Sequence, residues 1–155
     1  VPVIIFLQSY ADDSVQVQTK CCGHLKGKEL VDTVIYISRI RAAKAARDSI
    51  DSKIVIIART DALQSLGYKE AIQRLKAAPE AGADVAFLEA ITSRDEARAV
   101  VNDMAPCPVL LNMVDNGTTP SISAIEAQKM GSESLSFRSL AYHPLLKQSR
   151  PLARN

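Results

Sequence analysis

Short runs of β-branched and aliphatic residues alternate with helix-length amphipathic stretches along most of this 155-residue chain. The three clearest apolar runs are residues 54–58, 85–88 and 109–111. This spacing is typical of parallel strands, because the crossover between two parallel strands needs about a dozen residues or more and is usually a helix. The sequence therefore predicts an α/β fold with a parallel sheet and helices packed outside it.

The remaining segments extend the same alternation. Residues 3–7 resemble a first strand and residues 135–137 a weak last one, while helical spacing is seen at residues 32–47, 69–81, 93–104 and 121–130, with a short helix at 140–146. One strand followed by four strand-helix units is about half of a (β/α)8 barrel of roughly 250 residues. We therefore expect residues 1–155 to form a single, partial TIM-barrel-like domain. Because a part-barrel leaves strand edges unpaired, we expect further strands or a second chain to cover them.

Helix ends can be predicted from individual residues. Asp32 is placed to cap the first helix, and Ser93 with Glu96 forms the pattern of a capping box at the third. Gly82 is a typical residue just beyond a helix end, whereas Pro79 is expected to kink or shorten the last turn before it.

Composition excludes several classes of protein. The chain is 47% hydrophobic and 23% charged with a formal net charge of +2, so neither nucleic acid nor a membrane surface is expected as a partner. The apolar run at residues 3–7 is too short to span a bilayer. Three cysteines, two of them adjacent, do not form a disulfide framework. We expect an intracellular protein of the cytoplasm or the mitochondrial matrix.

A polar residue follows each of the three clear apolar runs. These residues are Arg59, Glu89 and Asn112, whose side chains are suited to a carboxylate or an enolate. In parallel β/α folds the active site gathers at the C-terminal strand ends, so the three are expected to face one cavity. A second interpretation is that Arg59 and Glu89 are only an ion pair at the end of the sheet.

Residues 20–28, called here the thiol segment, add a thiol and an imidazole in a loop-like setting. The thiol of interest belongs to Cys22 and the imidazole to His24. A lone cysteine is more often a small buried apolar residue than a catalytic acid. However, Lys20 and His24 lie close to Cys22 in sequence, and neighbouring positive charge favours the thiolate.

Four motifs in this order and spacing resemble the isocitrate lyase and phosphoenolpyruvate mutase superfamily. They are Lys20-Cys21-Cys22-Gly23-His24-Leu25, Ala58-Arg59-Thr60-Asp61-Ala62, Phe87-Leu88-Glu89 and Leu111-Asn112-Met113-Val114. The Cys-Gly-His motif is most similar to the branch of 2-methylisocitrate lyases and oxaloacetate hydrolases. The resemblance implies a TIM-barrel enzyme, with Mg²⁺ as cofactor and a homo-oligomeric state. It further implies cleavage of a small oxo- or hydroxy-dicarboxylate or tricarboxylate at a carbon-carbon bond through an enolate.

The resemblance also implies roles for the residues at the strand ends. Arg59 would bind a substrate carboxylate through its planar set of donors, and Asn112 would donate to a substrate oxygen. Glu89 would position a water or help to hold the magnesium ion. These roles suit an enolate intermediate, which needs its oxygen charge stabilised.

Roles are implied for the thiol segment as well. Cys22 would deliver a proton to carbon as the enolate collapses. His24 would polarise or orient the segment, and Gly23 and His24 would contact the substrate. In this family the segment closes over the substrate, so Gly23 and Gly27 are expected to be its flexible points.

The chain departs from the family where carboxylate ligands of magnesium are expected. Phe6, Gln8 and Ser14 occupy those positions, and the helix and strand that should separate the two motifs are absent. We therefore expect a break in the backbone between Gln8 and Thr19, weak magnesium binding and slow turnover, since hard cations depend on charged oxygen ligands. The alternative function is that of a non-catalytic, metal-deficient relative that binds an anion or serves as an interaction protein.

Overall fold

The computed structural model describes residues 4–8, 30–112, 119–120, 122–123, 125–126 and 135–136. Five strands form one sheet in the order β1-β2-β3-β4-β5, and every neighbouring pair is parallel. The strands are β1 Ile4–Gln8, β2 Val55–Thr60, β3 Val85–Leu88, β4 Val109–Leu111 and β5 Leu135–Ser136. This sequential parallel order confirms the predicted α/β class and is the order of consecutive units in a (β/α)8 barrel.

β2 is longer than the sequence predicts. The apolar run ends at Ala58, but the strand continues through Arg59 to Thr60. Arg59 is in register with Gln8 on one side and Phe87 on the other, so its backbone lies within the parallel ladder. The predicted strand end was therefore wrong by two residues, because a polar side chain does not prevent its backbone from pairing.

Three helices connect the described strands. They are α1 Thr33–Ser49, α2 Leu63–Ala81 and α3 Arg94–Met104. Asp32 caps α1 by accepting from Val34 N at 2.8 Å, and Ser93 Oγ accepts from Glu96 N at 3.0 Å at the start of α3. Both predicted N-caps are confirmed, although the Glu96 carboxylate accepts from Thr92 N at 2.8 Å, one residue earlier than in a standard capping box.

The irregularity in α2 is not where the sequence predicts it. Pro79 lies inside the last turn and the helix continues to Ala81, so Pro79 neither ends nor kinks it. The non-helical backbone within α2 is at Gly67, with φ 78° and ψ 174°. The helix ends at Gly82, which has a left-handed φ of 112°. A side chain there would contact the Lys44 side chain of α1, so this position needs glycine for both its φ and its space.

The two faces of the sheet have different surroundings. Side chains of α1, α2 and α3 pack on one face against alternate strand residues, including Ile56 and Ala58 of β2 and Leu88 of β3. A separate, smaller apolar cluster lies on the opposite face and comprises Val55, Ile57, Val85, Phe87 and Leu110. Because strand side chains alternate between faces, this opposite face is the one that a closed barrel would turn inward.

The N-terminal ends of β2 and β3 are joined to α1 through one carboxylate. Asp84, just before β3, accepts from Arg47 Nη1 at 2.5 Å and from Ile56 N at 2.8 Å. Arg47 Nη1 also donates to Ile54 O at 3.2 Å. These bonds fix the end of α1 relative to the starts of β2 and β3, at the opposite end of the strands from Arg59.

Several predictions fall outside the described residues. They concern the thiol segment with Cys22, Gly23 and His24, the backbone break between Gln8 and Thr19, and the helix at 140–146. Of the helix predicted at 121–130, the structure describes helical backbone at Ile125 and Glu126. Within the described ranges, no helix is long and apolar enough to cross a membrane.

Candidate active site

Arg59 and Glu89 lie on the same face of the sheet as the smaller apolar cluster. Arg59 is two residues beyond Ile57 in β2, and Glu89 is two residues beyond Phe87 at the end of β3. Alternation along each strand therefore turns both side chains away from the helices. Glu89 N donates to Thr60 O at 3.0 Å, which fixes the end of β3 beside the end of β2.

The guanidinium of Arg59 contacts two carboxylates. Its Nε donates to Asp61 Oδ2 at 3.1 Å and its Nη2 donates to Asp61 Oδ1 at 2.8 Å, which is a two-point ion pair. The same Nη2 lies 3.5 Å from Glu89 Oε2. The side chains of Arg59, Asp61 and Glu89 are only 13%, 1% and 4% exposed, so all three charges are largely removed from water.

An aromatic ring completes the surroundings of this cation. The centre of the Arg59 guanidinium lies 5.2 Å from the centroid of the Phe87 ring. A guanidinium within about 6 Å of an aromatic face is attracted by the ring quadrupole. Phe87 is also the register partner of Arg59, so the parallel ladder itself places the ring beside the charge.

Asp61 was not among the residues expected to form the site. It follows β2 directly, within the motif Ala58-Arg59-Thr60-Asp61-Ala62. The signal that was available is the Arg-x-Asp spacing, because residues two apart share one face of an extended chain. The structure thus shows a cluster of three charges, whereas the alternative interpretation of the sequence was an ion pair of Arg59 and Glu89 alone.

Asn112 directly follows β4 and is partly buried. It lies two residues beyond Leu110, which is the register partner of Phe87. This places Asn112 at the same level of the sheet as Glu89, on the face that carries Arg59. Its role toward a substrate stays a prediction.

Two carboxylates near one arginine do not by themselves make a metal site. Within the ranges that the structure describes, no group of three or more Asp, Glu, His or Cys side chains could hold a metal ion. Both Asp61 and Glu89 contact the Arg59 cation, whereas a hard cation such as Mg²⁺ takes about six oxygen ligands. The nearest register position on β1, opposite Arg59, is Gln8. The described residues therefore do not fit a magnesium site by themselves.

Comparison with known proteins agrees with this geometry. The sequence model of the phosphoenolpyruvate phosphomutase family matches residues 13–155. The 2-methylisocitrate lyase of Aeropyrum pernix is 36% identical over 139 residues, which cover 90% of this chain and 44% of that protein. The chain belongs to the phosphoenolpyruvate mutase and isocitrate lyase superfamily, as its motifs suggested.

Solved structures of the superfamily share the fold. A crystal structure of 2,3-dimethylmalate lyase has a TM-score of 0.76 and 53% identity over 93% of this chain and 46% of that one. Oxaloacetate acetylhydrolase in complex with the product oxalate has a TM-score of 0.73 and 44% identity over 89% and 45% of the two chains. Phosphonopyruvate hydrolase, solved with oxalate and Mg²⁺, has a TM-score of 0.64 and 25% identity over 86% and 43%. The chain thus spans less than half the length of these relatives.

Proposed function

We propose that this chain is part of a carbon-carbon bond lyase or hydrolase that acts on a small oxo- or hydroxy-dicarboxylate or tricarboxylate through an enolate. One observation carries the proposal: a buried arginine, held by one carboxylate and close to a second, lies at the C-terminal ends of adjacent parallel strands. Relatives that act on such substrates, a 2-methylisocitrate lyase and an oxaloacetate acetylhydrolase, support it.

Arg59 would supply the positive charge that a substrate carboxylate or enolate oxygen requires. A fixed cation in a site with little water stabilises developing negative charge far more than a solvated one does. Asp61 already receives the Nε and Nη2 donors, so a carboxylate bound through that edge of the guanidinium would have to displace it. The two-point binding expected from the sequence would therefore use either the Nη1 and Nη2 edge of the guanidinium, or the Nε and Nη2 edge after displacement of Asp61.

Asn112 and Glu89 would act on the substrate from the two adjoining strand ends. Asn112 would donate its amide to a substrate oxygen. Glu89 would orient a water or the reacting group, because its carboxylate is buried next to Arg59. We propose that the substrate lies between these two side chains, on the face of the sheet that the helices leave uncovered.

Cys22, Gly23 and His24 are proposed to complete the reaction from the thiol segment. Cys22 would give its proton to the carbon of the enolate, and His24 would orient that thiol or a substrate oxygen. Gly23 would allow the backbone to approach the substrate closely. This assignment depends on the Cys-Gly-His motif.

Magnesium is proposed only as a cofactor of the family, and the roles proposed for Arg59, Asn112 and Cys22 do not depend on it. When bound, the ion would neutralise substrate carboxylate charge. Of the described residues, Glu89 is the ligand that the family resemblance assigns. Its other expected ligands correspond to Phe6, Gln8 and Ser14, which cannot provide the charged oxygens that Mg²⁺ prefers. A homo-oligomeric state and an intracellular location are proposed on the same resemblance.

The proposal is tested by assaying the full-length protein with oxaloacetate, 2-methylisocitrate and 2,3-dimethylmalate in the presence of Mg²⁺, with product formation followed by mass spectrometry. Arg59→Met is expected to lower kcat/KM by about 10²-fold or more, as for other removed oxyanion donors. The matched control Arg98→Met removes an exposed arginine of α3 and should change kcat/KM less than about twofold.

The thiol is tested in the same assay. Cys22→Ser should abolish most turnover, while Cys107→Ser, at a partly buried cysteine before β4, should retain it. A folded protein that cleaves none of the three substrates and does not bind oxalate would refute the proposed function. Turnover that survives Arg59→Met would refute the assignment of the site.

A further inference from the structure

Asp61 is a buried carboxylate to which neither the family resemblance nor the proposed mechanism assigns a role. Its side chain is 1% exposed, less than that of Arg59 or Glu89. Burying a carboxylate is costly unless its oxygens are paired, and both oxygens of Asp61 accept from Arg59. The pair therefore ties the Arg59 guanidinium to the backbone that carries Asp61.

That backbone is held on both sides of Asp61. Thr60 O accepts from Glu89 N at 3.0 Å, and Thr60 Oγ1 accepts from Ala62 N at 3.3 Å. Ala62 O in turn accepts from Leu66 N at 2.8 Å in the first turn of α2. Asp61 thus lies between the end of β2 and the start of α2, so its carboxylate is a fixed acceptor.

Two contacts together orient the guanidinium of Arg59. The parallel bonds from Nε and Nη2 to Asp61 fix its rotation within its own plane. The Phe87 ring, whose centroid lies 5.2 Å from the centre of the guanidinium, restricts the tilt of that plane. Because Nη2 also lies 3.5 Å from Glu89 Oε2, the end of the guanidinium that carries Nη2 is beside Glu89.

A guanidinium has two edges that can each bind a carboxylate through two donors, Nε with Nη2 and Nη1 with Nη2. Asp61 holds the first edge of Arg59 and so determines the direction of the second. A substrate carboxylate can use the second edge without displacing Asp61. Since Asp61 is both fixed in its backbone and buried, the geometry favours this mode over one in which the substrate takes the place of Asp61.

We propose that Asp61 is a positioning residue, which by holding the Nε and Nη2 edge of Arg59 presents the Nη1 and Nη2 edge to a substrate carboxylate beside Glu89. Asp61 does not touch the substrate in this proposal, and it acts through the Arg59 guanidinium. The proposal deepens the proposed function and rests on it, because it assigns the orientation of that function's carboxylate-binding group.

The sign of one change in affinity separates this role from its alternatives. Removing the negative charge of Asp61 should by charge alone strengthen the binding of an anion, because like charges in a buried site are poorly screened. A carboxylate that merely occupied the substrate's place would give the same sign when it is removed. The positioning role gives the opposite sign, since misdirected donors no longer match a carboxylate at two points.

The test measures oxalate affinity by calorimetry and kcat/KM in variants of the full-length protein, well below the Tm of each. Asp61→Asn keeps the shape of the side chain and removes its charge. Arg59→Lys keeps the positive charge but has no planar edge to orient, so it serves as the second background for Asp61→Asn. The control is Asp95→Asn, at an exposed carboxylate that pairs with Arg98.

Asp61→Asn should lower oxalate affinity about tenfold and kcat/KM by at least as much, whereas Asp95→Asn should change either less than about twofold. In the Arg59→Lys background, Asp61→Asn should leave oxalate affinity unchanged or raise it. If Asp61→Asn does not fold, the decision rests on Asp61→Glu, which keeps the charge but moves the carboxylate by one methylene. That variant should lower oxalate affinity about threefold or more.

The outcomes separate the two proposals. Oxalate affinity in Asp61→Asn equal to or above that of the parent would overturn the positioning role and leave the proposed function intact, as would parent-like affinity in Asp61→Glu where that variant decides. A loss by the same factor in both backgrounds would show that Asp61 is merely structural and would likewise overturn it. A parent protein that neither binds oxalate nor cleaves any of the three substrates would refute the proposed function, and the positioning role with it.

Discussion

Replacing Asp61 with asparagine is expected to destabilise the protein measurably. The Asp61 side chain is 1% exposed and accepts two hydrogen bonds from Arg59, at 3.1 and 2.8 Å. Asparagine keeps one oxygen acceptor but turns an NH₂ donor toward one of the two Arg59 donors. The variant therefore loses one charge-assisted hydrogen bond and the negative charge that lies closest to the guanidinium.

The size of the effect follows from what remains around Arg59. Removing one partner of a buried ion pair costs about 3–5 kcal/mol when the other charge is left uncompensated. Here Glu89 at 3.5 Å and the Phe87 ring still contact the cation, so the cost should be that of a hydrogen bond to a charged group, about 1.5–3 kcal/mol. At about 2–4 °C per kcal/mol, this corresponds to a fall in Tm of about 3–12 °C.

Thermal and urea unfolding followed by circular dichroism measure this change. The matched control is Asp95→Asn, whose carboxylate is 93% exposed and contacts Arg98 at 3.0 Å, so its loss should cost at most about 1 kcal/mol. A double-mutant cycle between Asp61→Asn and Arg59→Met should give a coupling energy of about 1 kcal/mol or more. If Asp61→Asn is no more destabilising than Asp95→Asn, the contact with Asp61 is not what holds Arg59 in place.

Three further predictions address other parts of the molecule. Gly82→Ala should lower the free energy of unfolding by about 1–3 kcal/mol because of its positive φ and its contact with Lys44, and Lys44→Ala in the same chain should recover only part of the contact cost, since it removes Cγ and Cδ but keeps a Cβ 2.8 Å from the added carbon. Tyr36→Phe should leave stability unchanged or raise it by up to about 1 kcal/mol, since the buried hydroxyl has no hydrogen-bond partner among the described residues, and a larger loss in urea unfolding would contradict this. Phe6→Asp with Gln8→Asp should strengthen Mg²⁺ binding at least about tenfold by calorimetry, because both positions share the register face of Arg59, and unchanged affinity would count against a metal site there.

Most of the fold could be predicted because its local signals agree with its packing. The apolar runs of β3 and β4 match the observed strands at residues 85–88 and 109–111. The caps at Asp32 and Ser93 are local interactions within four residues, so sequence spacing alone is sufficient to find them. The start of α2 could not be predicted in this way, because a turn of helix precedes the irregular backbone at Gly67 and hides the apolar periodicity.

Only part of the candidate site could be predicted from the sequence. Strand alternation can be read from the sequence, but the turn of the chain after a strand cannot. Alternation along parallel strands brings Arg59 and Glu89 to one face whatever their partners are, so their proximity follows from pattern and register. The pairing of Arg59 with Asp61 depends on how the chain turns after Thr60, and hydropathy carries no information about that turn.

The charge balance of the site bears on how a polycarboxylate could bind there. One guanidinium faces two carboxylates, so the cluster of Arg59, Asp61 and Glu89 carries a formal charge of −1 when all three are ionised. Such a cluster repels an anionic substrate unless further positive charge is brought close to it, because like charges in a buried site are poorly screened. The sequence provides such a charge two residues before the proposed proton donor Cys22, at Lys20. In the proposed mechanism Lys20 would offset the excess negative charge of this cluster, and the same segment would supply the proton from Cys22.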